Sequence, residues 1–272
     1  MTQVPGGRSI YQGRLRRAEK LAASLPFAAE VLEFYRHLVS WQGGVYSELA
    51  RVNSTGARDL AARLTPDLTQ ILPHYRALLS ISERHGPSNL ARGARQIAGL
   101  PSDSWIALLE AYWTTGGLFD QLIGAFPQFF ARAAIQPYAE FAASVAPPPQ
   151  VLTLNKCPRC QGRPLLGVLR PEGDGGKRFL LCSFCLEEWE FRRILCPTCG
   201  EEAEQKLPVY VAEQLPHMRV EACDSCKHYL RTVDLTKDGH AVPVVDDLGA
   251  TPLTLWASEH GYSRLQGNLL GT

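Results

Sequence analysis

The chain has 272 residues, of which 45% are hydrophobic and 20% charged, and its formal net charge is +1. This composition is typical of a folded globular protein and argues against an intrinsically disordered chain. The near balance of charge also argues against a strongly cationic nucleic-acid-binding surface. The length suits two domains, with a hydrophobic core in at least one of them.

The N-terminal segment has no apolar run of signal-peptide length, and Arg16-Arg17 is followed by Ala-Glu-Lys rather than by an export segment. The most apolar stretch of the N-terminal half, residues 117–135, is interrupted by polar residues and by Pro127, so we expect no membrane insertion. We therefore expect a cytoplasmic protein. In that reducing compartment, tight cysteine pairs indicate metal or redox chemistry rather than disulfides.

Residues 1–149 are predicted to form an all-α helical domain. Apolar residues recur at steps of three and four within residues 28–39, 68–81 and 105–118. Turn signals at Gly43-Gly44, Ser54-Thr55-Gly56 and His85-Gly86-Pro87-Ser88 are predicted to separate the helices. The domain is predicted to end at Pro147-Pro148-Pro149, because three prolines cannot continue a helix. We find no arrangement in this half that indicates chemistry rather than packing.

All eight cysteines lie in the C-terminal half, in four Cys-x-x-Cys pairs with none left over. Two intervening residues allow both thiolates of a pair to bind one tetrahedral ion, and two such pairs complete a four-thiolate shell. The predicted ligands are Cys157, Cys160, Cys182 and Cys185 for site 1, and Cys196, Cys199, Cys223 and Cys226 for site 2. We therefore expect two metal ions per chain.

An internal repeat of about 40 residues favours this sequential grouping, because each half of it holds two cysteine pairs at similar separation. An interleaved arrangement, in which the first pair joins the third, stays open. Predicted strands flank the pairs at Leu165–Leu169, Lys177–Leu181, Leu186–Phe191 and His228–Val233. The fold class is thus multi-domain α plus small β, with two tandem rubredoxin-like or zinc-ribbon modules at residues 150–192 and 193–272, the second ending in a short helix.

Four thiolates suit zinc and iron equally, so the ligand set leaves the metal open. The sequence CPTCG at residues 196–200 is what a rubredoxin knuckle looks like, whereas Gln161 stands where the first pair would need the same glycine. His217 and His228 are interpreted as surface residues, because sulfur already supplies eight ligands. Asp247 is interpreted either as a helix N-cap or, with Asp246, as part of a partner surface.

The order of the motifs resembles a known family. The cysteine pairs lie within CPRCQGRPLLGVL, GGKRFLLCSFCLEEWEFRRILCPTCG and VEACDSCKHYLRTVD, and the closing segment is PVVDDLGATPLTLWASEHGYSRLQGNLLG. From Leu154 to Gly271 this order is similar to the FdhE family of formate dehydrogenase accessory (formation) proteins. Asp246-Asp247 and the closing Asn268-Leu269-Leu270-Gly271 are part of the resemblance. The helical half matches mainly in its length and position.

The resemblance implies a cytoplasmic, non-enzymatic assembly factor that binds the catalytic subunit of a respiratory formate dehydrogenase, before or around its export through the twin-arginine pathway. It also implies rubredoxin-like metal sites at the eight cysteines and an association with iron. Molybdenum would belong to the bound subunit and not to this chain. No residue of the helical half takes a role from the resemblance, and the oligomeric state is left open.

Two other functions compete when the residues are considered without the resemblance. The first is a nucleic-acid-binding zinc ribbon, but residues 156–230 carry eleven Lys and Arg against eleven Asp and Glu. Two four-thiolate zinc sites would add a charge of about −4, which opposes phosphate binding. The second is rubredoxin-like electron transfer, which leaves the helical half without a role. We therefore expect a protein partner and no nucleic acid.

Overall fold

The computed structural model describes residues 7–52, 68–115, 125–147, 155–173 and 175–271. Two compact units are distinguished, the first comprising Met1–Glu19 and Glu30–Pro148, the second Lys20–Ala29 and Pro149–Thr272. The predicted turn at Ser54-Thr55-Gly56 and the linker prolines Pro148 and Pro149 lie outside the described residues. The predicted domain limits at residues 149 and 192 stay predictions.

Helices make up the described part of the N-terminal half, as the apolar spacing predicts. They are α1 (Gly7–Ser24), α2 (Ala29–Val52), α3 (Leu68–His85), α4 (Ser88–Ala98), α5 (Ser102–Thr115) and α6 (Ala125–Val145). Leu32 and Leu38 on α2 are fully buried, and so is Leu109 on α5, because residues three or four apart share one face of a helix. Within the described ranges, none of the helices combines the length and hydropathy that crossing a bilayer requires.

The predicted turn at Gly43-Gly44 is wrong, because α2 continues through both residues. A Cβ added to Gly43 would lie 3.0 Å from the Cβ of Tyr11, which is closer than ordinary packing allows. Gly43 therefore makes room for the Tyr11 side chain and does not end the helix. The packing outweighs the cost of about 1 kcal/mol that glycine carries in a helix interior.

The second unit contains a seven-stranded sheet. Its strands are β1 (Pro164–Glu172), β2 (Gly175–Cys182), β3 (Glu188–Glu190), β4 (Val209–Val211), β5 (Met218–Ala222), β6 (His228–Asp234) and β7 (Ser263–Arg264). The order across the sheet is β3-β2-β1-β6-β5-β4, and β7 pairs with the beginning of β6. The strands predicted at Leu165–Leu169 and Lys177–Leu181 are present as β1 and β2, which pair as a hairpin and extend beyond the predicted bounds.

The strands of the two predicted cysteine modules belong to this one sheet. β1 from the first module pairs in parallel with β6 from the second, and Val168 lies opposite Val233. Gly167 lies opposite Thr232, and a Cβ on that glycine would clash with the threonine side chain. The two modules are therefore tandem in sequence but joined by backbone hydrogen bonds in space.

One face of the sheet packs against the C-terminal helices α7 (Pro243–Gly249) and α8 (Thr251–Glu259). The buried cluster between them includes Val220 and Val233 from the sheet and Leu253 and Ala257 from α8. Leu25, from the short N-terminal segment of this unit, packs against the same cluster. The predicted α plus small β class is confirmed, although two short helices replace the single C-terminal helix predicted.

Candidate metal centres

The four Cys-x-x-Cys segments adopt one repeated backbone conformation, which we call a knuckle. In each knuckle the N–H of the first cysteine donates to the carbonyl oxygen five residues further on. The four pairs, all at 2.9 Å, are Cys157 with Gly162, Cys182 with Glu187, Cys196 with Glu201, and Cys223 with His228. This hydrogen bond closes the segment into a tight turn that brings its two thiols together.

The residue after the second cysteine of every knuckle has a positive φ. These residues are Gln161 (φ 60°), Leu186 (φ 54°), Gly200 (φ 78°) and Lys227 (φ 57°). The left-handed conformation costs a residue with a Cβ about 1–2 kcal/mol, and only glycine adopts it freely. Gln161 thus occupies the same conformation as Gly200, so the missing glycine noted in the sequence does not change the shape of the first knuckle.

The knuckles bring the eight thiols together in two groups of four, in the sequential order. The Sγ atoms of Cys157 and Cys185 are 3.6 Å apart, and those of Cys160 and Cys182 are 3.4 Å apart. In the second group the separations are 3.7 Å for Cys196 and Cys226, and 3.6 Å for Cys199 and Cys223. We call these groups cluster 1 and cluster 2.

Both clusters have the size that a four-thiolate ion requires. A tetrahedral ion with metal–sulfur bonds of about 2.3 Å places its sulfurs about 3.8 Å apart, close to the separations found here. A disulfide, by contrast, requires about 2.05 Å. The backbone N–H groups of Phe184 and Thr198 lie 3.3 Å and 3.4 Å from the Sγ atoms of Cys182 and Cys196, as expected around thiolates. The residues therefore fit zinc or iron.

Within each cluster, the pKa values of the thiols are shifted in opposite directions or raised. Hydrogen bonds from Cys160, Cys182 and Cys185 lower the pKa of Cys157 far below its ordinary value, and the same contacts raise the pKa of Cys182 and Cys185. In cluster 2, burial raises the pKa of Cys223 and Cys226. Four thiolates at this separation repel, so all four can ionise together only around a cation.

The two clusters differ in their exposure to solvent. In cluster 1, Cys157, Cys182 and Cys185 are buried and Cys160 is half-buried. In cluster 2, Cys196 and Cys223 are buried, Cys226 is half-buried and Cys199 is exposed. A Cβ on Gly162 would lie only 3.1 Å from the Sγ of Cys182 and 3.2 Å from that of Cys160, so cluster 1 is also covered closely by backbone.

A polar contact joins the two knuckles of each cluster. In cluster 1, Arg159 and Glu187 form an ion pair at 2.6 Å, with side chains 14% and 18% exposed. In cluster 2, the Ser225 hydroxyl donates to Glu201 at 2.6 Å. That hydrogen bond, with one from the Ala203 N–H, lowers the pKa of Glu201 to about 2. We call these contacts the clamps of the two clusters.

The acidic pair Asp246-Asp247 has neither of the roles predicted for it. Asp247 lies inside α7, fully buried, so it is not an N-cap, and it forms ion pairs with Arg231 at 2.7 Å and Arg264 at 2.8 Å. Asn268 donates to it at 2.9 Å. Burial opposes ionisation of Asp247, but the two arginines outweigh it and hold its pKa below the usual range. The closing motif of the chain is therefore part of a buried ion-pair network.

A groove of 390 Å³ lies beside cluster 2. Its walls include Cys196, Leu207 and the partly exposed Ile194 and Val209, with Arg219 and Glu221. Val209 and Val211 belong to the edge strand β4, and their side chains are 52% and 63% exposed. The sequence pattern does not predict this groove. β4 has only three residues, and the other residues that line the groove come from distant segments of the chain.

The chain is similar to proteins of one family over most of its length. Residues 156–193 match the description "FdhE, central domain", and residues 194–270 match "FdhE, C-terminal domain". A relative from Aquifex aeolicus, "Protein FdhE homolog", is 27% identical over 270 residues, which cover 94% of each chain. A relative of the same name from Pseudomonas aeruginosa is 32% identical over 197 residues, 68% of this chain and 62% of that protein.

A solved structure has the same fold. The crystal structure of the FdhE protein from Pseudomonas aeruginosa superposes with a TM-score of 0.70 at 25% sequence identity, covering 97% of this chain and 95% of that chain. The similarity therefore includes the helical half, whose resemblance to the family in sequence is mainly one of length and position.

Proposed function

Because this chain belongs to the FdhE family, we propose that it is a cytoplasmic accessory factor that binds the catalytic subunit of a respiratory formate dehydrogenase and is needed to form the active enzyme. It carries out no turnover itself. One observation carries the proposal: in a chain of this family, each group of four cysteines has the geometry to occupy all four coordination positions of a metal ion. Such ions leave no coordination position for a substrate.

In this proposal each cluster holds one zinc or iron ion and serves as a structural centre. The ligands are Cys157, Cys160, Cys182 and Cys185 in cluster 1, and Cys196, Cys199, Cys223 and Cys226 in cluster 2. A bound ion joins two knuckles that are separated in the chain by two strands, β1 and β2 in cluster 1 and β4 and β5 in cluster 2. Its binding free energy therefore contributes to folding.

The groove beside cluster 2 is the proposed contact surface for the catalytic subunit. The N–H of Ala222 donates to the carbonyl of Pro208 at 3.0 Å, so hydrogen-bonded pairs alternate along β4 and β5 in the antiparallel ladder. By this alternation the backbone groups of Val209 and Val211 point away from β5, at the edge of the sheet. An edge strand with apolar side chains can accept an extended segment of another polypeptide as a further strand.

A partner of mixed apolar and acidic character suits this groove. Val209, Leu207 and Ile194 supply apolar walls, while Arg193 and Arg219 supply positive charge. Glu221 accepts from Arg219 at 2.9 Å and forms an ion pair with Arg178 at 2.7 Å, so this carboxylate is shared between two guanidinium groups. We therefore propose that the bound segment is extended, largely apolar, and carries at least one carboxylate.

Deletion of the gene in the native host tests the function. Formate dehydrogenase activity is expected to be lost while the transcript of the enzyme stays intact, and the wild-type gene is expected to restore the activity. Tagged protein purified from this host is expected to carry the catalytic subunit, detected by mass spectrometry. Unchanged activity in the deletion strain would contradict the proposal, and tight, salt-sensitive binding of nucleic acid would favour the zinc-ribbon alternative.

The contact surface is tested by Val209→Lys, which places a charge in the groove, on the exposed edge strand β4. Recovery of the catalytic subunit is expected to fall at least tenfold, because the lysine opposes strand addition. The matched control is Leu255→Lys, since Leu255 is similarly exposed at 61% but lies on α8. Equal recovery of the catalytic subunit with both variants would show that the groove is not the contact surface. It would not contradict the identity of the partner.

A further inference from the structure

Three metal-ligating side chains converge outside the two cysteine clusters. His217 precedes β5, Asp238 lies in the turn after β6, and Asp246 lies in α7. One donor atom from each, an imidazole nitrogen and two carboxylate oxygens, lie within 4.8 Å of one another. The prediction that His217 is a surface residue is wrong, since its side chain is only 13% exposed and that of Asp246 is 1% exposed.

Backbone N–H groups orient the two carboxylates and hold the main chain at His217. The Val242 N–H donates to Oδ2 of Asp246 at 2.7 Å, which turns Oδ1 towards His217. The His240 N–H donates to Oδ1 of Asp238 at 2.9 Å. The main chain of His217 is held by the Asp234 N–H, which donates to its carbonyl oxygen at 2.8 Å. The convergence is thus built into the fold and is not a chance meeting of mobile surface groups.

The closest separation is a hydrogen-bond distance, and it is also near the ligand spacing of a six-coordinate ion. Nε2 of His217 lies 2.8 Å from Oδ1 of Asp246. Two neighbouring ligands of an octahedral ion, each bonded at about 2.1 Å, lie about 3.0 Å apart, whereas tetrahedral ligands at the same bond length lie about 3.4 Å apart. The donor oxygen of the half-buried Asp238 lies within 4.8 Å of the other two donor atoms.

We infer that His217, Asp238 and Asp246 form a third site, which binds one six-coordinate divalent cation. The donor set of one nitrogen and two oxygens differs from the sulfur of the clusters. Carboxylate oxygens suit Mn²⁺ and imidazole suits Fe²⁺, so the donor set accepts cations of this type, although it binds Zn²⁺ more tightly. Water completes the shell. The ion joins the segment before β5, the turn after β6 and α7.

The ordinary alternative is a His217–Asp246 ion pair with Asp238 nearby by coincidence. The two interpretations differ in what the donors do when a cation is offered. An ion pair gives no stoichiometric binding, and its imidazole nitrogen has no contact with an added metal. The metal site binds one ion per chain and brings that nitrogen into the first coordination shell.

The test uses the full chain with two equivalents of Zn²⁺ already bound, because thiolates take zinc in preference to Mn²⁺. Mn²⁺ is then added, and the electron paramagnetic resonance signal of free Mn²⁺ gives the bound amount. We expect one Mn²⁺ per chain. Asp238→Asn is expected to weaken its binding at least tenfold, since the amide keeps the size of the side chain and removes its charge. The control His240→Gln is expected to bind as wild type.

A second readout identifies the nitrogen ligand. Electron spin echo modulation from an imidazole nitrogen is expected on bound Mn²⁺ in the wild-type chain, and it is expected to disappear in His217→Gln. Zinc content and the thermal unfolding temperature report whether each variant is folded. Absence of Mn²⁺ binding at millimolar concentration overturns the inference, as does equal binding by wild type and Asp238→Asn, or a bound ion with no nitrogen modulation.

Discussion

Clusters 1 and 2 share one backbone template but differ in their surroundings. Each is built from two knuckles with the same 2.9 Å hydrogen bond and the same left-handed residue. Cluster 1 has three buried cysteines, whereas cluster 2 has Cys199 exposed to solvent. The template determines which ion fits, and the surroundings determine how readily that ion exchanges. A comparison of the two therefore separates ligand geometry from protection by the fold.

Loss of a buried ligand should have the largest effect. Cys182→Ser is expected to remove the ion of cluster 1 and to lower the thermal unfolding temperature by more than 10 °C, because a structural zinc site contributes about 10 kcal/mol or more of binding free energy. Cys199→Ser is expected to keep its ion at saturating metal, since water can replace an exposed ligand. Metal analysis and thermal unfolding measure both changes.

Equal losses from the two substitutions would contradict this difference in protection. The grouping has its own control, Cys160→Ser, which is expected to affect the same ion as Cys182→Ser and to spare cluster 2. A common loss from Cys160→Ser and Cys196→Ser would instead favour the interleaved arrangement, in which the first pair joins the third.

Removal of metal by a chelator should occur in two phases. The ion of cluster 2 is expected to leave at least tenfold faster than that of cluster 1, because a chelator reaches the exposed Cys199 without unfolding the sheet. A coloured zinc indicator follows release, and two equal amplitudes are expected. A single phase that carries both ions would show that exposure of one ligand does not control exchange.

The clamp of cluster 1 is expected to have a smaller effect. Arg159→Gln breaks the ion pair with Glu187 and should destabilise the cluster by about 1–2 kcal/mol, since the pair is only partly exposed to solvent. Release from cluster 1 should then be about tenfold faster. Ser225→Ala, the matched change in cluster 2, removes one hydrogen bond and is expected to speed release there by a few-fold. A larger effect from Ser225→Ala than from Arg159→Gln would contradict this order.

Substitutions at the residues with positive φ should change stability least, and the changes in the two clusters should have opposite signs. Gln161→Gly is expected to stabilise cluster 1 by up to about 1 kcal/mol, because glycine adopts positive φ freely. Gly200→Gln is expected to destabilise cluster 2 by about the same amount. Nothing lies within 4 Å of the Cβ position at Gly200, so the added side chain meets no clash at its Cβ. The substitution therefore measures the cost of the positive φ. Denaturant unfolding at saturating zinc measures both, and shifts of the same sign would contradict the explanation.

The sequence predicts features that depend on local spacing. The helices of the N-terminal half follow from apolar residues three and four apart, and the knuckles follow from the two residues between paired cysteines. Gly43 shows where such reasoning fails, because the same residue type marks a turn or a close contact, and only the position of Tyr11 decides. The strands β1 and β6 were predicted, but their parallel pairing depends on contacts far apart in the chain.

Polar residues were harder to predict than cysteines. The pair Asp246-Asp247 was noted in the sequence, yet its partners Arg231, Arg264 and Asn268 lie on other segments and share no spacing with it. Arg231 is fully buried, which the prediction of a strand at His228–Val233 does not reveal. His217 was likewise noted, but Asp238 approaches it through the pairing of β5 with β6, and Asp246 joins them only when α7 packs on the sheet. Sequence patterns identify ligands that are neighbours in the chain and miss those that folding brings together.

The parallel pairing of β1 with β6 has a consequence for synthesis of the chain. The hairpin of β1 and β2 is complete early, but β1 gains its second neighbour only when β6 has left the ribosome. During that interval one edge of β1, with the apolar residues Leu166 and Val168, is open to pairing with other chains. An ion bound early at cluster 1 would hold the hairpin and its knuckles in place throughout. Metal supply during translation should therefore influence how much of the newly made protein escapes aggregation.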